Sequence, residues 1–115
     1  MSKAETAVDA AHVRAALAAI GKQIACACSD GASRPERITI VAVTKGFGPE
    51  AINAALAAGL TDIGENYYQE AAAKFARAAW PPHPVRRHFI GRIQRNKARR
   101  IATLFDVVQT VEAAA

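Results

Sequence analysis

"IVAVTKGFGPE", residues 40–50, is the stretch on which the fold turns. Ile40, Val41, Ala42 and Val43 form an apolar run. The longer "ITIVAV" (38–43) is apolar on both faces, as a central parallel strand would be. Gly46 and Gly48 mark a turn. Pro49 and Glu50 then open a helix, with proline in the first turn and an acid near the positive end of the helix dipole. A strand that passes through a short turn into a helix is the first half of a β-α-β unit. Lys45 stands where the strand stops, and alternation puts it on the same face as Val43 and Val41.

The same rhythm repeats downstream. The helix after Pro49 carries Ile52 and Leu56 and stops at Gly59, placed as a C′ glycine and followed by Leu60. "TDIG" (61–64) reads as a second strand. Asn66 and Gln69 form a capping-box-like pair for a third helix, with Tyr68, Ala72 and Phe75 on one side. "WPPHPVR" is a rigid connector. "RHFIG" (87–91) reads as a third strand, "QRNKARRIATLF" as a fourth helix with Ala98, Ile101 and Phe105 in a stripe, and "DVVQTV" (106–111) as a fourth strand. Upstream, residues 4–28 predict one long helix, with Val13, Leu17, Ile20 and Ile24 at helical spacing, and "SDGASRPER" (29–37) predicts a loop. A helix followed by β-α-β-α-β-α-β argues for parallel β-α-β units with right-handed crossovers in one domain.

The chain has 115 residues, enough for one modest core. Half of them are hydrophobic, with much alanine and few aromatics, which suits helices packed closely on small side chains. A net charge of +5 permits an anionic partner without choosing among a phosphorylated ligand, nucleic acid and an acidic protein. No stretch is long and apolar enough to span a membrane and no signal-peptide core is present, so a cytoplasmic location is expected. Cys26 and Cys28 lie two apart in a helix, where they do not face each other; two half-buried reduced thiols are expected, and no metal cluster surrounds them.

In parallel α/β folds the ligand site lies at the carboxyl ends of the strands. Three such ends carry polar residues here: Thr44-Lys45, Glu65-Asn66, and His88 through Gly91-Arg92. A lysine among apolar neighbours is more easily deprotonated, and a neutral amine attacks aldehydes to form a Schiff base. The plainer alternative is a strand-end lysine that snorkels to solvent. Asn66 is explained equally by capping, and His88 by a satisfied place in the core. The basic run Arg92, Arg95, Lys97, Arg99 and Arg100 reads as a solvated helix face or a nucleic-acid surface; its lack of interleaved aromatics argues against single-stranded binding. No P-loop or dinucleotide fingerprint is present.

Taken together, "VAVTKGF", "GENYYQE" and "HFIGRIQRNK" resemble the pyridoxal-phosphate homeostasis protein family, in order and spacing, from about residue 5 to about residue 112. The resemblance implies a parallel (β/α)8 barrel like the N-terminal domain of alanine racemase. This chain would supply the N-terminal half: a long helix and about four β/α units. It further implies pyridoxal 5′-phosphate (PLP) held on Lys45 as a Schiff base, with Asn66 beside the cofactor ring while still capping its helix, and His88 as a further cofactor-binding residue. The implied role is storage and delivery of the cofactor and limitation of free aldehyde rather than amino-acid turnover, with apo PLP enzymes as recipients. A racemase-like enzyme is the alternative, although only Tyr67 and Tyr68 offer a second acid/base; a basic nucleic-acid-binding module is the next. Family chains run to about twice this length, as an eight-stranded barrel of about 250 residues requires. Glu112 stands where the family usually carries aspartate. A half barrel leaves strand edges unpaired, so self-association is expected, together with weak cofactor binding that favours PLP little over pyridoxal.

Overall fold

The computed structural model describes residues 9–29, 31 and 34–110. Helix α1 (Ala10–Ala27) is capped by Asp9, whose carboxylate accepts the His12 backbone N–H at 2.9 Å. Residues 4–8 of the expected helix, the end of the expected fourth strand at Val111, and Glu112 lie outside the described residues. Val13, Leu17 and Ile24 are half-buried and Ile20 is exposed, and α1 packs on the helix that follows the first strand.

Among the described residues, four parallel strands form one sheet: β1 (Ala42–Val43), β2 (Asp62–Glu65), β3 (Arg86–Phe89) and β4 (Val107–Val108). Their spatial order is their chain order, with every adjacent pair parallel. Helices α2 (Pro49–Ala57), α3 (Tyr68–Arg77) and α4 (Ala98–Leu104) connect them. The alternating pattern of the sequence therefore yields the expected parallel α/β architecture.

Two elements and the cysteine pair differ from expectation. The apolar run 38–43 pairs only at Ala42–Val43, and β1 is an edge strand of the described sheet rather than a central one. The register Ala42↔Ile63 would set residues 38 and 39 against Gly59 and Leu60. Those two residues are occupied in ending α2: Gly59 has φ +94°, its N–H bonds Leu56 O and that of Leu60 bonds Ala55 O. This is the six-to-one and five-to-two pattern of a Schellman stop, which leaves no strand for Ile38 to pair with. Ile38 is accordingly exposed.

The fourth helix is divided into a 3-10 turn, Arg95–Lys97, and α4, neither of them with a side-chain cap. Ile101 and Phe105 of its stripe are buried, while Ala98 is exposed. The two cysteines are unlike: Cys26 is exposed and Cys28 buried, both as free thiols.

The core fills the space between one face of the sheet and the helices. Ile52 and Leu56 of α2 and Phe75 of α3 meet Ile63, Phe89, Ile101 and Phe105 there. Phe75 sits edge-on to Trp80 and Phe105 at 5.6 and 5.5 Å, and Phe105 edge-on to Phe89 at 5.1 Å. Such geometry sets ring edges against ring faces and adds to the burial of each ring. On the opposite face, a Cβ at Gly64 would lie 3.2 Å from Val41 Cγ1 and 3.5 Å from Ile90 Cδ1. The carboxyl ends of the strands form the rim after which Lys45 and Asn66 stand.

Candidate functional site

Registers fix the levels along the sheet. Val43 pairs with Gly64, Gly64 with His88 and His88 with Val107. Carried past the last paired residues, the register puts Lys45 and Asn66 level at the strand ends, with His88 one layer deeper.

Lys45 is exposed, in a tight turn completed by Gly46 at φ +80° and by a bond from Phe47 N–H to Thr44 O at 3.3 Å. The residues around this turn are more constrained than the lysine itself. Thr44 is buried; its N–H bonds Gly64 O at 3.0 Å and its hydroxyl donates to Glu65 Oε2. Glu65 is fully buried and pairs with Lys74 at 2.6 Å. Lys74 Nζ also donates to Thr44 O at 2.6 Å and lies 3.4 Å from Glu70 Oε1, which in turn accepts Gly46 N–H at 3.0 Å.

Asn66 does not cap α3. The N-cap is Tyr67, without a side-chain cap bond. Capping is replaced by something costlier, because Asn66 Oδ1 is buried and has no hydrogen-bond partner. An unsatisfied buried polar atom costs about 1–3 kcal/mol. Asn66 is pinned from the other side by Gly91: a Cβ on Gly91 would fall 2.1 Å from Asn66 O. Beside it opens a cavity of about 430 Å³ lined by Asn66, Tyr67, Tyr68, Arg92, Gln94 and Lys97 among others. Arg95, Arg99 and Arg100 of the basic run are exposed.

His88 is buried with both ring nitrogens engaged: Nε2 with Asp62 Oδ2 and Nδ1 with the Gln109 amide, each at 2.7 Å. Asp62 also accepts from Arg86 Nε at 2.9 Å. Burial raises the Asp62 carboxyl, but the hydrogen bonds from His88 and Thr61 and the charge of Arg86 together outweigh it and hold the group below its ordinary value of 3.8. This chain ties β2, β3 and the segment after β4 together beneath the rim.

Sequence reasoning passed over Glu70, Lys74 and the Asp62–His88–Gln109 chain. A signal for Lys74 was present: it falls between Ala71 and Phe75 on the buried face of α3, where an unpaired lysine would be costly. Its partner Glu70 lies one turn back. Among the described residues no cluster of three or more metal-binding side chains occurs, and no helix is long and apolar enough to cross a membrane.

The residues present would suit the aldehyde of PLP. An exposed amine sits on a backbone-fixed turn, and the neighbouring strand end offers an orphaned polar oxygen that a ligand donor would satisfy.

No family model matches the chain. Curated relatives do. The chain is 41% identical over 103 residues to the pyridoxal phosphate homeostasis protein of Pseudomonas aeruginosa, covering 90% of this chain and 39% of that one. It is 44% identical over 80 residues to that of Vibrio alginolyticus, covering 68% and 34%. Among solved structures it is similar to PipY of Synechococcus elongatus, described both without and with PLP bound. The form without PLP gives a TM-score of 0.64 at 35% identity, covering 82% of this chain and 42% of that one, and the PLP-bound form 0.61 at 34%, covering 78% and 42%. A protein from Bifidobacterium adolescentis shares the fold, with a TM-score of 0.77 over 93% of this chain and 49% of that one, at 24% identity. The chain spans about two-fifths of the length of the curated relatives it matches. Sequence and fold thus converge on one assignment: the chain is a relative of the pyridoxal phosphate homeostasis proteins, matched over less than half of their length.

Proposed function

We propose that this chain binds PLP at Lys45 and serves in cofactor homeostasis, holding and releasing the cofactor for apo enzymes in the cytoplasm rather than turning over amino acids. The observation that carries the reading is the pairing at the rim: an exposed lysine on a braced turn, level with an asparagine whose side-chain oxygen has no partner. The likeness to PipY, described with PLP bound, and to curated pyridoxal phosphate homeostasis proteins supports it. The four β/α units are read as part of a (β/α)8 barrel, whose sites lie at this end of the strands.

Bound there, PLP supplies an aldehyde, the group to which a lysine amine adds reversibly. Lys45 provides the amine. Asn66 provides a polar contact from the adjacent strand. His88, already bonded to Asp62 and Gln109, contributes by fixing the floor under both rather than by leaving those partners. In this reading the open outer edges of β1 and β4 are where the chain associates with further strands or with itself.

The test is borohydride reduction of the chain mixed with PLP, followed by peptide mapping. A stable label on Lys45, lost in Lys45→Arg, is the expected result. Absence of label on that peptide overturns the cofactor reading, and robust racemase turnover would overturn the non-catalytic part of it.

A further inference from the structure

Lys45 is flanked by two peptide groups, and both are held by side chains of the same helix. The carbonyl of Thr44, in the peptide that enters Lys45, accepts from Lys74 Nζ at 2.6 Å. The N–H of Gly46, in the peptide that leaves it, donates to Glu70 Oε1 at 3.0 Å. Glu70 and Lys74 are one helical turn apart and 3.4 Å from each other. We propose that Glu70 and Lys74 of α3 are positioning residues that clamp the turn carrying Lys45 and so set its readiness to take up an aldehyde. The proposal rests on the assignment of Lys45 as the attachment point and adds the device that holds it.

Lys74 has its donors matched at the centre of the clamp, whereas Glu65 Oε1 is buried without a partner. An ammonium has three donors, and Lys74 has three acceptors within reach: Thr44 O, Glu65 Oε2 and Glu70 Oε1. Glu65 is the anchor, since its Oε2 receives both Lys74 and the Thr44 hydroxyl. The Lys74 and Glu65 side chains are 6% and 0% exposed, so two charges have been taken out of water at this place. An apolar pair of similar volume there would be neutral or stabilising in general. What an apolar pair could not do is hold the Thr44 carbonyl.

The physical consequence is orientational. A lysine side chain samples many rotamers, so the only part of Lys45 that the fold can fix is its backbone. Fixing both flanking peptides leaves the ammonium a restricted arc above the rim, which lowers the entropy lost when it is captured. Releasing either peptide restores the freedom of the turn, and Gly46, already in the left-handed region, offers it little resistance.

The experiment compares the parent chain with Glu70→Ala, Glu70→Gln and the double variant Glu65→Met with Lys74→Met. Three readouts are taken: amide hydrogen exchange at Gly46 in the free protein, affinity for PLP and for pyridoxal by imine absorbance, and the urea midpoint. Glu70→Ala should speed exchange at Gly46 and weaken both aldehydes about fivefold or more, the loss of one net hydrogen bond. Glu70→Gln keeps an oxygen for Gly46 and should restore most of both. The double variant should keep its urea midpoint and still bind weakly, which separates positioning from mere stability. Unchanged affinity in Glu70→Ala and in a folded double variant overturns the clamp, whatever the exchange rate. If the parent shows no borohydride-stable label at Lys45, the cofactor reading and the clamp fall together.

Discussion

Gly91 is where the rim of the sheet is least forgiving. Replacing it with alanine would place a Cβ 2.1 Å from Asn66 O, 2.7 Å from Asn66 C and 2.8 Å from Asn66 Cα. All three are backbone atoms, so no rotamer change relieves the clash. An ordinary contact of about 3.4 Å demands that the ends of β2 and β3 part by roughly 1 Å. The bond between them at that point, Ile90 N–H to Glu65 O at 2.9 Å, would be stretched out of range. Overpacking of this kind costs about 1–3 kcal/mol and the lost bond about 1 kcal/mol more. Gly91→Ala should therefore destabilise the chain by about 2–4 kcal/mol, a large share of the roughly 5–15 kcal/mol typical of a domain. Urea unfolding followed by Trp80 fluorescence measures it, as a midpoint lower by about 1 M or more at an ordinary slope. Because Asn66 moves with the strand end, PLP affinity should fall as well. A midpoint within about 0.3 M of the parent would refute the argument that the two backbones must stay in contact here.

Asp62 gives a pH signature. Its carboxyl titrates below the ordinary value in the folded chain, so the stability it contributes is present above pH about 4 and is lost as pH falls through the lowered folded value. Asp62→Asn should cost about 1–3 kcal/mol at pH 7, and the gap between parent and variant should shrink near pH 3; a gap that persists undiminished in acid would sink this account. Phe75→Ala removes the ring that meets both Trp80 and Phe105, and should cost about 3–5 kcal/mol with a marked change in Trp80 emission, whereas an unaltered unfolding curve would show that the aromatic cluster is dispensable.

The architecture was legible because each β/α unit announces itself locally. Gly59 is an example: its place after an apolar helical stripe signals a stop, and the structure makes that stop with two backbone bonds. The length of β1 was not legible, for the same residue decides it from a distance, by removing the partner that Ile38 would need. Asn66 misled for a related reason. A capping-box spacing is a statement about local preference, and here Gly91 lies close against the Asn66 backbone and the cap falls one residue later, on Tyr67. Lys45 could be singled out because its position follows from strand alternation alone. The brace around it joins residues 44, 46, 65, 70 and 74, and only the folded crossover brings them to one place.

Strand order that copies chain order has a consequence for how such a chain comes into being. Each pairing joins residues about twenty apart, from Ala42 with Ile63 to Ile63 with Arg87 and His88 with Val107. Every new strand finds its neighbour already formed just behind it, and no strand waits for one not yet made. The loop-closure entropy of each step is that of one short crossover, repeated. Assembly can therefore proceed from the N-terminus as the polypeptide leaves the ribosome, one β/α crossover at a time. At every stage the growing edge is the latest strand, ready to receive whichever comes next.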